Sequence, residues 1–489
     1  MASRYWKYII AVAVFMQYLV SLGPLYNYSV FLGPLQTEFK TSAVLTGWVG
    51  SLAAAMLGTM SPFTAILSWK IGNVRVVFLG VILSAAGYLS TSFISSLPQA
   101  YLTFGLLTGV GAGFMVCGSA SVLMDWYLGQ GGACRSTGGA MIGSSAGVMV
   151  VGPLANSFTA SHGWRSTFRF LSGVTLGLGL VTALPFLKAA EDPASDQDCT
   201  NPKPEVPVES GAPDQGQVAD DQARSGSDLT GDVPSRVGSL KSFCEKVLNV
   251  EVWLWVSSIT TAQLGWTFAI INFSSFMEGI GLSTERISVA LTASGAGEIL
   301  GKLTVAVFGD RLPCLKLYVV VVSSVGGAVI SGLFTVFSAF WSTVVLAVVW
   351  GFCRGGVHGV CFAAAGELFQ NYSPRAVVAI AVLGFGTGVL IGSPLTGVFY
   401  DLTGDYTLSL FVVVASFVAS VVCALLIPLK RALMSRVLCR RRPADDASSQ
   451  TRGNNANKDE DTRAPPTEEN VRYRSVGASN MAYEIESKI

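Results

Sequence analysis

Charge is what this sequence lacks most: only 13% of its 489 residues are Asp, Glu, Lys or Arg, against roughly 25% in an ordinary soluble domain. So few charges cannot clothe the surface of a water-soluble chain of this length, and a membrane class is implied. Histidine is scarcer still, with His162 and His358 the whole supply. No HExxH, Walker loop, paired catalytic carboxylates or credible Ser-His-Asp set is present, so the chain is not expected to be an enzyme, to hold a cofactor or metal, or to bind nucleic acid. Nine cysteines include no CxxC pair. Cys117, Cys353, Cys361 and Cys423 lie inside apolar runs and read as small packing residues. The glycine-rich GVGAGF at 109–114 follows no strand and reads as a helix-packing segment rather than a nucleotide loop. A small-residue cleavage site is also missing after MASRYWKYII, so the first apolar run is expected to stay as an uncleaved signal.

What is abundant is apolar sequence, at 51%. A helix needs about 20 mostly apolar residues to cross a bilayer, and twelve such stretches occur. Their cores are 8–32, 43–67, 74–96, 99–125, 136–160 and 168–188, then 250–276, 286–309, 315–337, 341–368, 375–400 and 405–429. The expected fold is therefore an all-α membrane protein with twelve transmembrane helices in two six-helix halves, 1–188 and 250–429. Residues 189–249, rich in Pro, Gly, Ser and acids, cannot bury enough apolar surface to order themselves and are expected to form a disordered linker. Within that linker, Lys241 to Leu248 fits a short amphipathic helix at the membrane surface. The tail, 430–489, opens with Lys430, Arg431, Arg436 and Arg440 to Arg442 and is also expected to be disordered. Lys and Arg of short connections collect on the side of Arg4, Lys7, Lys70, Arg75, Arg135, Arg311, Lys316 and Arg375, against Lys40, Arg165, Arg169 and Arg286 on the other. The richer side is expected to be cytoplasmic, with both termini and the linker on it, and the plasma membrane is the default location.

The halves repeat one another. Sliding the sequence 241 positions along itself sets Lys70 on Arg311, Gly143 on Gly384, Gly147 on Gly388, Pro153 on Pro394 and Gly163 on Gly404. GSSAGVMVVGPL in the fifth span then lies over GFGTGVLIGSPL in the eleventh. Two parallel six-helix halves are an architecture in which one half rocks against the other around a central site.

Four segments carry a resemblance to a known family: GWRSTFRFLSG at 163–173, the glycine-rich fifth span, AGEILGKLTVAVFGDR at 296–311, and YDLTGDYTLSLF at 400–411. Together they resemble the monocarboxylate transporters of the major facilitator superfamily, over roughly residues 5 to 430. The opening YNYSVFLGPLQTEF is closer to the related oxalate/formate antiporters. That resemblance implies the major facilitator fold, alternating access and a small carboxylate as substrate. This chain departs from the family where SRYWKYII replaces its acidic-Gly-Gly-Trp signature, and where Tyr26, Asn27 and Tyr28 stand in place of a substrate-coupling lysine.

Ionisable groups inside a span are costly and usually face a cavity or a partner. Glu298 and Lys302 stand four apart in the eighth span, on one helix face. Lys302 can hold a substrate carboxylate while Glu298 takes and releases a proton, the role the resemblance implies for the family's eighth-span acid and base; a structural ion pair is the alternative. Arg354 and His358 are four apart in the tenth span. Arg354 supplies a second cation suited to bidentate carboxylate binding, or else an ion pair with Glu298 or Glu367; His358 is a proton relay or a packed residue. Tyr26, Asn27 and Tyr28 are expected to line the outer pathway. Asp125, Arg135, Asp310, Arg311, Glu367 and Arg375 lie at span ends, where a gating or structural layer is expected. The chain thus reads as a secondary carrier of small organic anions, lactate- or pyruvate-like, with proton coupling. The alternatives are a pH-independent uniporter or antiporter of aromatic amino acids or dicarboxylates, and a solute sensor. Besides lipid, the expected partners are an accessory membrane subunit and, from Ser487-Lys488-Ile489, a PDZ-type domain.

Overall fold

The computed structural model describes residues 2–127, 132–189, 249–403 and 405–453, and among these every regular element is a helix. The linker expectations, including the Lys241–Leu248 helix, and the terminal Ser487-Lys488-Ile489 lie outside the described residues.

Among the described residues eight helices are long and apolar enough to cross a membrane, and two bent pairs each make one further crossing. In the second span Val44–Thr59 and Ser61–Ile71 meet at 49°, and in the seventh Val250–Ala269 and Phe273–Gly279 meet at 47°. Leu317–Leu333 is a shorter apolar helix where the ninth span is expected. The fifth and sixth spans run as one helical stretch, Ala133–Ala189, broken only at Gly163, whose φ of 78° no side chain would favour. That glycine turns the chain, and together these helices make twelve crossings. The first crossing is longer than expected: Ala2–Tyr26 continues through a 3₁₀ turn, Tyr28–Phe31, into Leu32–Phe39. The final helix, Thr407–Gly453, carries on past residue 429.

Small residues decide how the helices approach. The carbonyls of Phe15 and Leu19 in the first span lie where Cβ atoms on Gly143 and Gly147 would sit, at 2.2 and 2.6 Å. The repeat-related Gly384 and Gly388 seat the seventh span in the same way, at 2.7 Å from Ile259 Cβ and 2.6 Å from the Thr260 carbonyl. Eighth and tenth spans interlock still more closely. Cβ atoms on Gly297 and Gly301 would fall 2.1 and 2.2 Å from the carbonyls of Val348 and Phe352, and ones on Gly351 and Gly355 2.0 and 2.1 Å from those of Ser294 and Glu298. Without a hydrophobic drive between helices in lipid, such backbone contact is what holds spans together.

The GWR element ties down one end of the first half. Trp164 Nε1 donates to Glu38 Oε2 at 2.6 Å, Arg165 pairs with the same carboxylate, and Arg165 also donates to the Ile94 carbonyl at 3.0 Å. The second and eleventh spans bring the two halves into contact. Gly58 lies against the backbone of Gly386, and Ser61 Oγ donates to the Ala379 carbonyl at 3.0 Å.

Candidate functional site

The interlocked glycines bring Glu298 of the eighth span against Arg354 and His358 of the tenth. Glu298 Oε1 lies 2.7 Å from Lys302 Nζ and 3.6 Å from His358 Nδ1, and Oε2 lies 3.4 Å from an Arg354 terminal nitrogen. One carboxylate thus gathers the four residues expected to carry substrate and proton coupling. Their surroundings differ. Glu298, Arg354 and His358 line a cavity of about 230 Å³, while Lys302 stays behind its wall with 1% of its side chain exposed. The Lys302 ammonium donates to Ser144 Oγ at 2.8 Å and Ser145 Oγ at 2.7 Å, so with Glu298 all three of its N–H bonds are used. Arg354 is less committed: its Nε–H is buried with no partner among the described residues. His358 Nε2 is 3.3 Å from Gln263 Oε1, and its ring packs on Phe385.

The rest of the cavity wall is largely apolar, with Leu22, Leu57, Met141, Leu291, Phe362 and Phe385 among its residues. A charged group entering it leaves water behind and must find its compensation in the Glu298–Arg354 cluster.

Of the three first-span residues expected along the pathway, Tyr26 lines this cavity. Asn27 is used elsewhere: its Nδ2 donates to the carbonyls of Gly23 and Val148, at 2.8 and 3.0 Å, and so ties the first span to the fifth. Tyr28 is buried against Phe104, ring centroids 4.6 Å apart, and takes no part in the lining. These two positions serve packing because the helix turns at residue 27 and aims them at neighbouring helices instead.

The residues at span ends also sort themselves. Asp310 accepts from the backbone N–H groups of Cys134 and Arg135, at 2.8 and 2.9 Å, capping the start of the fifth span from the far half. Asn73 bridges the halves, donating to Asp125 at 3.0 Å and accepting from Arg375 Nε at 3.1 Å. Glu367 accepts from the Lys316 backbone at 2.7 Å and pairs with its ammonium at 3.8 Å. The side chains of Arg135 and Arg311 are exposed. Sequence reasoning passed over Ser144, Ser145, Gln263 and Asn73, since a neutral polar residue in a span carries no cost large enough to draw notice.

The family model of the major facilitator superfamily matches residues 14–261 and again 254–452. The chain belongs to the major facilitator superfamily. Within it, similarity to the monocarboxylate transporters is low in identity and long in reach. Monocarboxylate transporter 13 of Rattus norvegicus is 24% identical over 414 residues, 84% of this chain and 86% of that one. Monocarboxylate transporter 2 of Homo sapiens is 24% identical over 462 residues, 91% and 90% of the two chains. Among solved structures, the transporter FucP in its outward conformation superposes with a TM-score of 0.61 at 14% identity, covering 86% of this chain and 98% of that one. The proton:xylose symporter XylE gives 0.61 at 13%, covering 86% and 95%. Fold and family make this superfamily member a multi-pass membrane solute transporter rather than an enzyme.

Proposed function

We propose that this transporter carries small monocarboxylates by alternating access, with the substrate carboxylate bound by Arg354 and a proton taken by Glu298. The observation that carries the reading is a cavity in whose otherwise largely apolar wall the Arg354 guanidinium and the shared Glu298 carboxylate stand together. A planar guanidinium binds a carboxylate through two parallel N–H bonds. With Glu298 ionised, Arg354 has an anion already. Protonating Glu298 removes that competitor, so substrate and proton enter together. With Glu298 ionised, Lys302, Arg354 and Glu298 together carry one net positive charge, and a proton entering with one carboxylate leaves that charge unchanged. The long-range similarity to monocarboxylate transporters supports the same substrate class. On the lysine and arginine distribution we place both termini in the cytoplasm and the protein in the plasma membrane.

The test is uptake of a radiolabelled carboxylate panel into proteoliposomes, with and without an inward proton gradient. Uptake is expected to rise as the outer solution is acidified, because the protonated acid releases Arg354. Glu298→Gln, held in the neutral form, is expected to lose that stimulation while still exchanging labelled for unlabelled substrate. Uptake of the wild type that ignores pH would reject coupling through Glu298.

A further inference from the structure

Two serines, neither of them charged, complete the wall between Lys302 and the cavity. Ser144 and Ser145 both line the cavity, and both stand in the fifth span, in the opposite half of the chain from the lysine they hold. Every group of this knot is accounted for. Each serine oxygen accepts one N–H of the ammonium, at 2.8 and 2.7 Å. The Ser144 hydroxyl proton goes to the Met141 carbonyl at 2.7 Å, and that of Ser145 to Glu298 Oε1 at 3.3 Å. The third N–H of the ammonium meets Glu298 Oε1 at 2.7 Å. The lysine therefore has nothing left to offer a substrate, although only two hydroxyls and one carboxylate oxygen stand between its charge and the cavity.

We infer that Ser144 and Ser145 are positioning residues that sequester the Lys302 ammonium, and that this sets the preference of the site for one carboxylate over two. This rests on the reading of the cavity as an anion site. A buried cation deprived of its acceptors seeks another anion. Replacing the serine hydroxyls by hydrogen removes part of the wall and two acceptors together. The lysine stem is flexible, and from behind Glu298 the freed ammonium can then meet a second carboxylate in the cavity. Arg354 and Lys302 would there bind the two ends of a dicarboxylate, which in the intact socket finds only Arg354 available.

The experiment compares succinate with butyrate, two acids of the same chain length, as competitors of a labelled monocarboxylate in proteoliposomes. In the wild type butyrate is expected to compete better. In Ser144→Ala/Ser145→Ala the ratio of succinate to butyrate inhibition constants is expected to fall by about tenfold, the equivalent of one displaced charge-assisted hydrogen bond. Ser144→Thr/Ser145→Thr, which keeps both hydroxyls, is expected to hold the wild-type ratio. Adding Lys302→Met to the alanine pair is expected to abolish the gain in succinate. A loosened helix would not depend on the lysine in that way. An alanine pair that transports with an unchanged ratio overturns the inference, as does a gain that survives Lys302→Met. Should the alanine pair carry nothing, the same ratio is read in purified protein from stabilisation against heat by each acid. A wild type whose uptake and thermal stability respond to neither acid overturns the anion reading itself, and the inference with it.

Discussion

Arg354 and Lys302 carry the same charge within reach of the same carboxylate, yet their surroundings give them different work. Lys302 is fully bonded and hidden, whereas Arg354 lines the cavity and meets Glu298 through a terminal nitrogen at 3.4 Å. A charge-assisted hydrogen bond is worth about 1.5–3 kcal/mol, and each 1.4 kcal/mol is roughly a factor of ten. Arg354→Gln is accordingly expected to raise the concentration for half-maximal uptake by about ten- to a hundredfold, with normal delivery to the membrane. Arg354→Lys should recover part of that loss, since it restores the charge without the planar fork. Concentration-dependent initial rates, normalised to the amount of protein in the vesicles, check both. The same scale separates Tyr26 from its neighbours, because Asn27 and Tyr28 spend their polar and aromatic groups on the fifth span and on Phe104.

Between elements, the decisive feature is the double glycine interlock of the eighth and tenth spans. It sets Glu298 and Arg354 on facing helices close enough for their side chains to meet. A methyl group at Gly355 would fall 2.1 Å from the Glu298 carbonyl oxygen, a backbone atom with no rotamer to yield. Overpacking of this kind costs about 1–3 kcal/mol or more. Gly355→Val is expected to lower the melting temperature in detergent and to cut uptake together, because the helices part at the very contact that builds the site. At Gly139, where a Cβ would meet nothing within 4 Å, Gly139→Ala should leave both unchanged. Thermal unfolding of the two purified variants, beside uptake, makes the comparison.

At the scale of the whole molecule, hydrogen bonds between the halves close one end. Asp310 caps the fifth span from the other half, and Asn73 links Asp125 to Arg375. A cap of this kind is worth about 0.5–2 kcal/mol, enough to shift a two-state equilibrium severalfold. Asp310→Ala is therefore expected to open that end more often. The measurement is labelling of Met141→Cys, a cavity position, by an impermeant maleimide applied from the side bearing residues 309–316, in a background from which all nine native cysteines have been removed. A severalfold faster reaction is the expected outcome, and an unchanged rate would show that the cap does not hold the gate.

The one-dimensional pattern determined a good deal by itself. Scarce charge and twelve apolar runs are counted along the chain, and hydrocarbon admits little besides helices for such runs, so the membrane class and the helical fold follow from local sequence. Glu298, Lys302, Arg354 and His358 were legible for a related reason: an ionisable group inside a span announces its cost without reference to any neighbour. Which of them faces the cavity was decided only by the tertiary structure. The Ser144–Ser145 socket joins positions 157 and 158 residues away from Lys302, and no local rule sets the fifth span beside the eighth. Asn27 and Tyr28 were open to misplacement on the same ground, because the side of a helix that meets a neighbour depends on where that neighbour lies. A side chain's price of burial is written in its own chemistry, but its partner is chosen by the packing of helices far apart in the chain.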